Sequence, residues 1–364
     1  MIDPADREAL FARIMEDPDD DAPRLIYSDI LEESGDGDRA EFIRLQVRIA
    51  RMTFTDPDRE NIQSKIRDLE LEHGVEWINE LPHIRGLHWE IFERGFISTA
   101  RIEKPDVLFE NADSIFRFTP ISRLRLHQFY SDDVRRMAPL SILNQIKELD
   151  MEDGCRAGNA GVEALVEEGQ LKTLNALRLP GNNLGPSAAR LIGTPELAPK
   201  LRYLDLSRND FYDDGIESLV GNGHITQLAK LLLNSCRISH SGLGHLNNAG
   251  SWDQLRFLGL GDNPLGAGGM IIGANHQFSG LRALLMDGCG LGDGSMVAFL
   301  HACYLPELEW LYLRRNNFTD YSAELLTRTS HLVSLRQLNL GDNHVTRLHL
   351  PALQERYGPG VIVD

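Results

Sequence analysis

At 364 residues, with 42% hydrophobic and 25% charged side chains, the chain has the balance of a folded protein rather than a disordered one. Its 54 acidic against 37 basic residues give a formal charge of −17, which repels phosphate backbones and anionic bilayers, so neither a nucleic-acid nor a membrane partner is expected. The acidic start MIDPADREAL is unlike a secretory leader, no apolar run approaches a membrane span, and Cys155, Cys236, Cys289 and Cys303 show no CxxC spacing. A cytoplasmic protein with reduced thiols, no disulfide framework and no zinc cluster is expected.

Residues 1–80 read as helices: Asp6 to Met15, with Leu10, Phe11 and Ile14 on one face, then Arg24 to Glu33, Ala40 to Met52 and Asp58 to His73. Pro18 and Pro23 are expected to separate the first two, and Gly35 with Gly37 the second from the third. Residues 81–120, carrying Trp89, Phe92, Phe96, Phe109, Phe116 and Phe118, read as a joining segment and N-terminal cap that begins a sheet.

From residue 121 the chain aligns with itself. The phrase L-x-x-L-x-L-x-x-N/C-x-L recurs from Ile121, Ile146, Leu174, Leu201, Leu228, Leu255, Leu281, Leu308 and Leu335, in steps of 25 to 28 residues. In the copy LRYLDLSRNDF, strand alternation turns Leu204 and Leu206 into the stack and Tyr203, Asp205 and Ser207 outward. Asn209 falls where the chain must turn, and an inward amide there can bond the unpaired backbone of the turn. Asn182, Asn263, Asn316 and Asn343 hold the same slot; Cys236 and Cys289 occupy it as small buried side chains, and Cys155 sits one residue past it. Helical spacing comes after the turns, as in Val162, Leu165 and Val166, or Ile216, Leu219 and Val220. Each unit is therefore strand, turn, helix. A lone unit cannot cover its apolar face, so the units must stack. The terminal PALQERYGPGVIVD reads as one helical turn and a short strand, Val361 to Val363, that cover the last core layer.

This pattern resembles the leucine-rich repeats, and the period of about 27 resembles their ribonuclease-inhibitor-like class. The resemblance implies an α/β fold: a right-handed solenoid over residues 121–350, a horseshoe with the parallel sheet inside and helices outside, closed by a cap at 351–364 and preceded by a small all-α domain. That domain resembles in turn the repeat-companion domain heading many bacterial proteins with such repeats. The likeness rests on Pro23-Arg24-Leu25, Tyr27-Ser28-Asp29, Leu31-Glu32-Glu33, Gly35-Asp36 and Ala40-Glu41-Phe42-Ile43-Arg44-Leu45-Gln46, with Ile30 where the companion usually has Trp. It implies architecture, not an activity.

No catalytic, cofactor or metal constellation stands out. Asp17, Asp19 and Asp21 have the first spacings of a calcium loop, but Ala22 and Ser28 stand where Gly and Glu are needed. The glycine-rich GLGDNPLGAGGMIIG, Gly259 to Gly273, lacks the Lys-Ser/Thr of a phosphate loop, and His240 with His245 form no ligand cluster.

A protein-binding scaffold using the concave sheet face is therefore expected; the other reading is a regulator, activator or inhibitor, of an enzyme such as a small GTPase or nuclease. Along that face the middle column runs Arg125, Asp150, Arg178, Asp205, Leu232, Gly259, Leu285, Tyr312, Asn339. Its first part reads as a self-satisfying charge ladder, joined by Arg123 beside Glu148. Its second part turns apolar beside Tyr203, Lys230, Phe257, Ala283 and Trp310. Tyr203, Leu232, Phe257, Leu285, Trp310, Tyr312 and Arg314 are thus the candidates for holding a protein or peptide, unless they only pack on one another.

Overall fold

The computed structural model describes residues 4–53, 56–152, 154–272, 276–302 and 304–363. They form two compact units, residues 1–127 with 145–148, and residues 128–144 with 149–364. Cys303 and Gly273 lie outside the described residues.

The first unit opens with helices α1 (Pro4–Glu16), α2 (Asp21–Glu33), α3 (Gly37–Arg51) and α4 (Arg59–Asn79). Pro23 does not separate α1 from α2, contrary to the expectation from sequence. It lies in the first turn of α2, where a missing N–H costs nothing, and Asp20 caps that helix by accepting from the Ala22 amide at 2.9 Å. Likewise α4 does not stop at His73: it runs through Gly74 to Asn79 and so brings Trp77 into the core. Strands β1 (Leu87–Trp89), β2 (Phe92–Glu93), β3 (Phe96–Ile97) and β4 (Thr99–Ile102) come next, then α5 (Pro105–Arg117) and β5 (Arg123–Leu126). β1 is antiparallel to β4, which is parallel to β5.

The helical core gathers Ile14, Tyr27, Leu31, Ala40, Ile43, Val47 and Phe96. Gln46 fastens the β2–β3 hairpin to α3 by accepting from the Gly95 amide at 2.7 Å and donating to the Phe92 carbonyl at 3.3 Å. Gly95 is required there: its φ is +89°, and a Cβ would lie 2.3 Å from Ile43. The acidic run is neutralised by the protein's own cations. Asp19 pairs with Lys147, and Asp21, 7% exposed, with Arg51 at 2.6 Å and with Arg94. Arg24, 2% exposed, donates to the carbonyls of Pro18 and Arg94.

The second unit is built from repeated strands and helices. It holds α6 (Ser131–Met137), most of β6 (Glu148–Asp150), α7 (Gly158–Glu168), β7 (Ala176–Arg178), α8 (Pro186–Ile192), β8 (Tyr203–Asp205), α9 (Tyr212–Val220), β9 (Lys230–Leu232) and α10 (His240–Asn248). It continues with β10 (Phe257–Gly259), β11 (Ala283–Leu285), α11 (Asp293–Ala302), β12 (Trp310–Tyr312), α12 (Asp320–Arg328), β13 (Gln337–Asn339), α13 (Leu350–Tyr357) and β14 (Gly360–Ile362). From β7 to β14 every pairing is parallel and in chain order. The result is an α/β solenoid. One unit departs from the pattern: among the described residues between β10 and β11 the helical segment is a 3-10 turn, Gly266–Gly268. Three glycines within four residues disfavour a helix there. A Cβ at Gly269 would come within 2.5 Å of the Leu265 Cβ and 2.7 Å of the Leu291 Cδ2, so the leucines packed against it leave no room for a side chain. At the C-terminal end α13 is two turns long rather than one, and the last strand is one residue earlier than expected.

Two polar ladders link successive units. In the first, each turn asparagine donates back to the preceding unit and accepts amides from it. Asn263 donates to the carbonyls of Leu233 and Leu260 at 2.7 and 2.8 Å, and accepts from Cys236 and Ile238 at 2.9 and 3.0 Å. Asn182, Asn209, Asn316 and Asn343 repeat the scheme. A thiol supplies only the donor half. Cys236 and Cys289 reach the Leu206 and Leu260 carbonyls at 3.3 and 3.2 Å. In the units that precede them, the Phe211 and Leu265 amides turn back onto Asn209 and Asn263 carbonyls at 3.1 and 2.8 Å. Burial pushes both thiols up to about 12.

The second ladder enters the helices. Asp213 accepts the Ser239 amide and hydroxyl at 2.8 and 2.6 Å, Asp293 those of Thr319 at 3.0 and 2.6 Å, and Asp320 those of Thr346 at 2.6 and 3.1 Å. Asn159 serves the Gly185 amide in the same way at 2.9 Å.

Candidate functional site

Strand alternation buries Leu204, Leu231, Leu258, Leu284, Leu311 and Leu338 on the helix side and leaves two columns on the open face of the sheet. The parallel register aligns them residue for residue. Tyr203, Lys230, Phe257, Ala283, Trp310 and Gln337 form one column; Asp205, Leu232, Gly259, Leu285, Tyr312 and Asn339 form the other. Tyr203, Leu232, Phe257, Leu285, Trp310 and Tyr312 are all partly exposed, and Arg314 is exposed.

Some of this surface is engaged with itself. The Lys230 ammonium lies 4.7 Å from the Tyr203 ring centre and 4.6 Å from that of Phe257, a cation held between two π faces. Burial, and then the Arg178 charge, hold Lys230 below the usual lysine range against the pull of Asp205. Leu232 leans over Gly259, where a Cβ would lie 2.8 Å from its Cδ2. Further on, engagement is lighter. The Tyr312 hydroxyl donates to Gln337 at 2.8 Å, Arg314 pairs with Asp342 at 2.7 Å, and the Arg314 amide donates to Asp287 at 2.7 Å. Trp310 remains partly exposed beside Ala283, whose methyl is the smallest side chain between two aromatic positions of its column.

The charged half contains ion pairs, some of them within the sheet columns and some to residues outside them. Arg123 pairs with Glu148 at 3.4 Å and with Glu93 at 3.3 Å, and Arg125 pairs with Glu90 at 3.0 Å. Arg178 pairs with Asp150 at 3.6 Å and with Glu152. Burial would lower the Arg178 pKa, but Asp150, Tyr203, Glu152 and Asp205 outweigh it and raise it. Asp150 is 2% exposed. Arg178 is therefore a partner of a buried carboxylate rather than one half of a surface pair, and removing it takes a cation from that carboxylate.

Of the other motifs, Gly259 and Asn263 in the glycine-rich stretch serve the sheet and the asparagine ladder, and His240 is the first residue of α10. The aspartate ladder was not foreseen from the sequence although its signal is present there: Asp213, Asp293 and Asp320 each precede a Ser or Thr by 26 residues.

A family described as Leucine Rich repeat matches residues 198–220. Human NACHT, LRR and PYD domains-containing protein 14 is 33% identical over 208 residues, which is 54% of this chain and 16% of that protein. Among solved structures, an internalin (inlF) from Listeria monocytogenes covers 72% of this chain and 70% of its own at 17% identity and a TM-score of 0.45. A yeast Rad7 and Elc1 complex covers 81% of each chain at 16% identity and a TM-score of 0.43. No helix of the described residues is long and apolar enough to cross a membrane. The units of the solenoid are thus similar in sequence to leucine-rich repeats, and the chain spans about a sixth of the length of the curated relative it matches.

Proposed function

We propose that the protein is a non-catalytic scaffold, a cytoplasmic one, that holds a protein or peptide on the open, concave face of its β8–β12 strands. The observation that carries this reading is the register: it sets Tyr203, Phe257 and Trp310 in one column beside Leu232, Leu285 and Tyr312 in the next, all partly exposed. The solenoid needs none of these side chains for its core, and partly exposed aromatics beside an arginine are the composition of binding hot spots. On this reading the repeats are of the ribonuclease-inhibitor-like class, the N-terminal helices are a repeat-companion domain, and an enzyme held on this face would be regulated through it. The net charge of −17 disfavours a nucleic-acid partner.

The test selects peptides from a display library on the full chain and measures their affinity for Trp310→Ala with Tyr312→Ala. The double variant should keep its melting temperature and lose about 2 kcal/mol of binding, roughly thirtyfold. Arg328→Ala, on the exposed face of α12, is the control and should change neither. Peptides that bind the double variant as tightly as wild type would move the site elsewhere. Unfolding of the double variant would make the aromatics structural.

A further inference from the structure

The first unit contains a charged group in surroundings that the scaffold reading does not use. Arg39, near the start of α3, lies with its guanidinium carbon 4.5 Å from the ring centre of Trp77, 5.3 Å from that of Phe92 and 5.8 Å from that of Phe42. Its Nη1 is shut off from solvent and has no hydrogen-bond partner. A buried guanidinium ordinarily faces a carboxylate, because unmet charged donors are costly to desolvate. Asp36 and Glu80 stand near enough to favour its charge, but neither pairs with it, and burial still lowers its pKa to about 10.

Arg39, Asp36 and Glu80 line one cavity of about 90 Å³, walled by Tyr27, Trp77 and Phe92. That is space for about three waters. Neither carboxylate has a cationic side chain paired with it among the described residues; Asp36 spends one oxygen on the Arg39 amide at 3.3 Å. The cavity therefore presents one buried guanidinium nitrogen without an acceptor, a half-buried and an exposed carboxylate without a paired cation, and aromatic faces that attract cations. An inorganic anion would answer Arg39 but meet two carboxylates, and a simple ammonium would meet the guanidinium. A small molecule carrying both charges answers every group.

We infer that this cavity is a binding site for a small zwitterionic amino acid the size of glycine or alanine, with its carboxylate on Arg39 and its ammonium toward Glu80 and Asp36. It is independent of the sheet face and of whatever binds there. The test is calorimetric titration of the full chain with glycine, and in parallel with acetate and with methylammonium, which each carry one half of the charge pattern. Glycine should bind saturably with a Kd of about 1 mM or tighter, and each half-molecule at least about tenfold more weakly. Arg39→Met should abolish glycine binding, and Glu80→Gln, at an exposed position that leaves folding alone, should weaken it about fivefold or more. If Arg39→Met unfolds, Glu80→Gln decides by itself. No saturable binding of glycine up to about 50 mM would mean that the cavity holds only water. Acetate binding as tightly as glycine, or glycine binding unchanged in Glu80→Gln, would equally overturn the assignment.

Discussion

Asn316→Ala tests the asparagine ladder at a single side chain. The wild-type amide donates to the Met286 and Leu313 carbonyls at 2.9 and 3.0 Å and accepts from the Cys289 and Leu291 amides at 2.9 and 3.0 Å. Alanine removes all four bonds and leaves the Met286 carbonyl and the Cys289 and Leu291 amides unmet, while the Leu313 carbonyl keeps the Asn343 amide at 2.9 Å. At about 1 kcal/mol for each of these bonds, a loss of about 4 kcal/mol is expected, large for one polar residue. Asn316→Cys separates the two halves of the interaction, because Cys236 and Cys289 show that sulfur fits the slot and donates but cannot answer two amides. About 2 to 3 kcal/mol is expected for it. Urea unfolding gives both values, and hydrogen exchange should accelerate first at the Cys289 and Leu291 amides. A loss under about 1 kcal/mol for alanine, with protection at those amides unchanged, would show that the ladder is not what holds the turns.

Asp293→Asn should destabilise by about 1 to 2 kcal/mol at neutral pH, the cost of losing a helix-entry acceptor. Burial would raise the Asp293 pKa, but hydrogen bonds from Ser322 and Thr319 outweigh it and hold it below 3.8. Its stabilisation is therefore complete above the unfolded value and lost as pH falls through the folded one. Stability against pH should consequently be flatter below about pH 4 in the variant than in wild type, and parallel curves would count against this account. Cys236 and Cys289 should resist a thiol reagent in the native protein and react only on unfolding, since both are fully buried and their thiols are pushed up to about 12. Fast labelling of either under native conditions would contradict their place beneath the turn. Removing residues 345–364 should expose Leu338 and Leu340, now 0% and 1% exposed, and open the edge of β13. Aggregation and dye binding should result, and a monomer with unchanged melting temperature would show that α13 and β14 are dispensable.

The solenoid was legible because its evidence is periodic. Nine copies of one phrase fix strand, turn and facing columns, and the parallel register needed only the period to be aligned. What failed was local and aperiodic. Pro23 reads as a breaker until its place in the first turn of α2 is known, and Gly74 reads as an end until α4 continues through it. The buried partner of Arg178 was hidden because Asp150 occupies an outward strand position, and only neighbouring side chains cover it. Arg39 stood unremarked between Gly35-Asp36 and Ala40, since nothing in a linear reading brings Trp77 and Phe92 around it.

Excision of residues 228–254 would bring Asn263 to the place that Cys236 holds now, with its amide against the Leu206 carbonyl and the Phe211 amide. The asparagine seam would be complete, because every asparagine looks for partners one period back and not for a particular neighbour, although Asp213 would lose the Ser239 hydroxyl. A cut of ten or fifteen residues would leave it facing a helix. The chain is in this sense quantised in length: whole units can be gained or dropped between generations without a compensating change, and a binding face can be widened or narrowed by about 4.8 Å at a time.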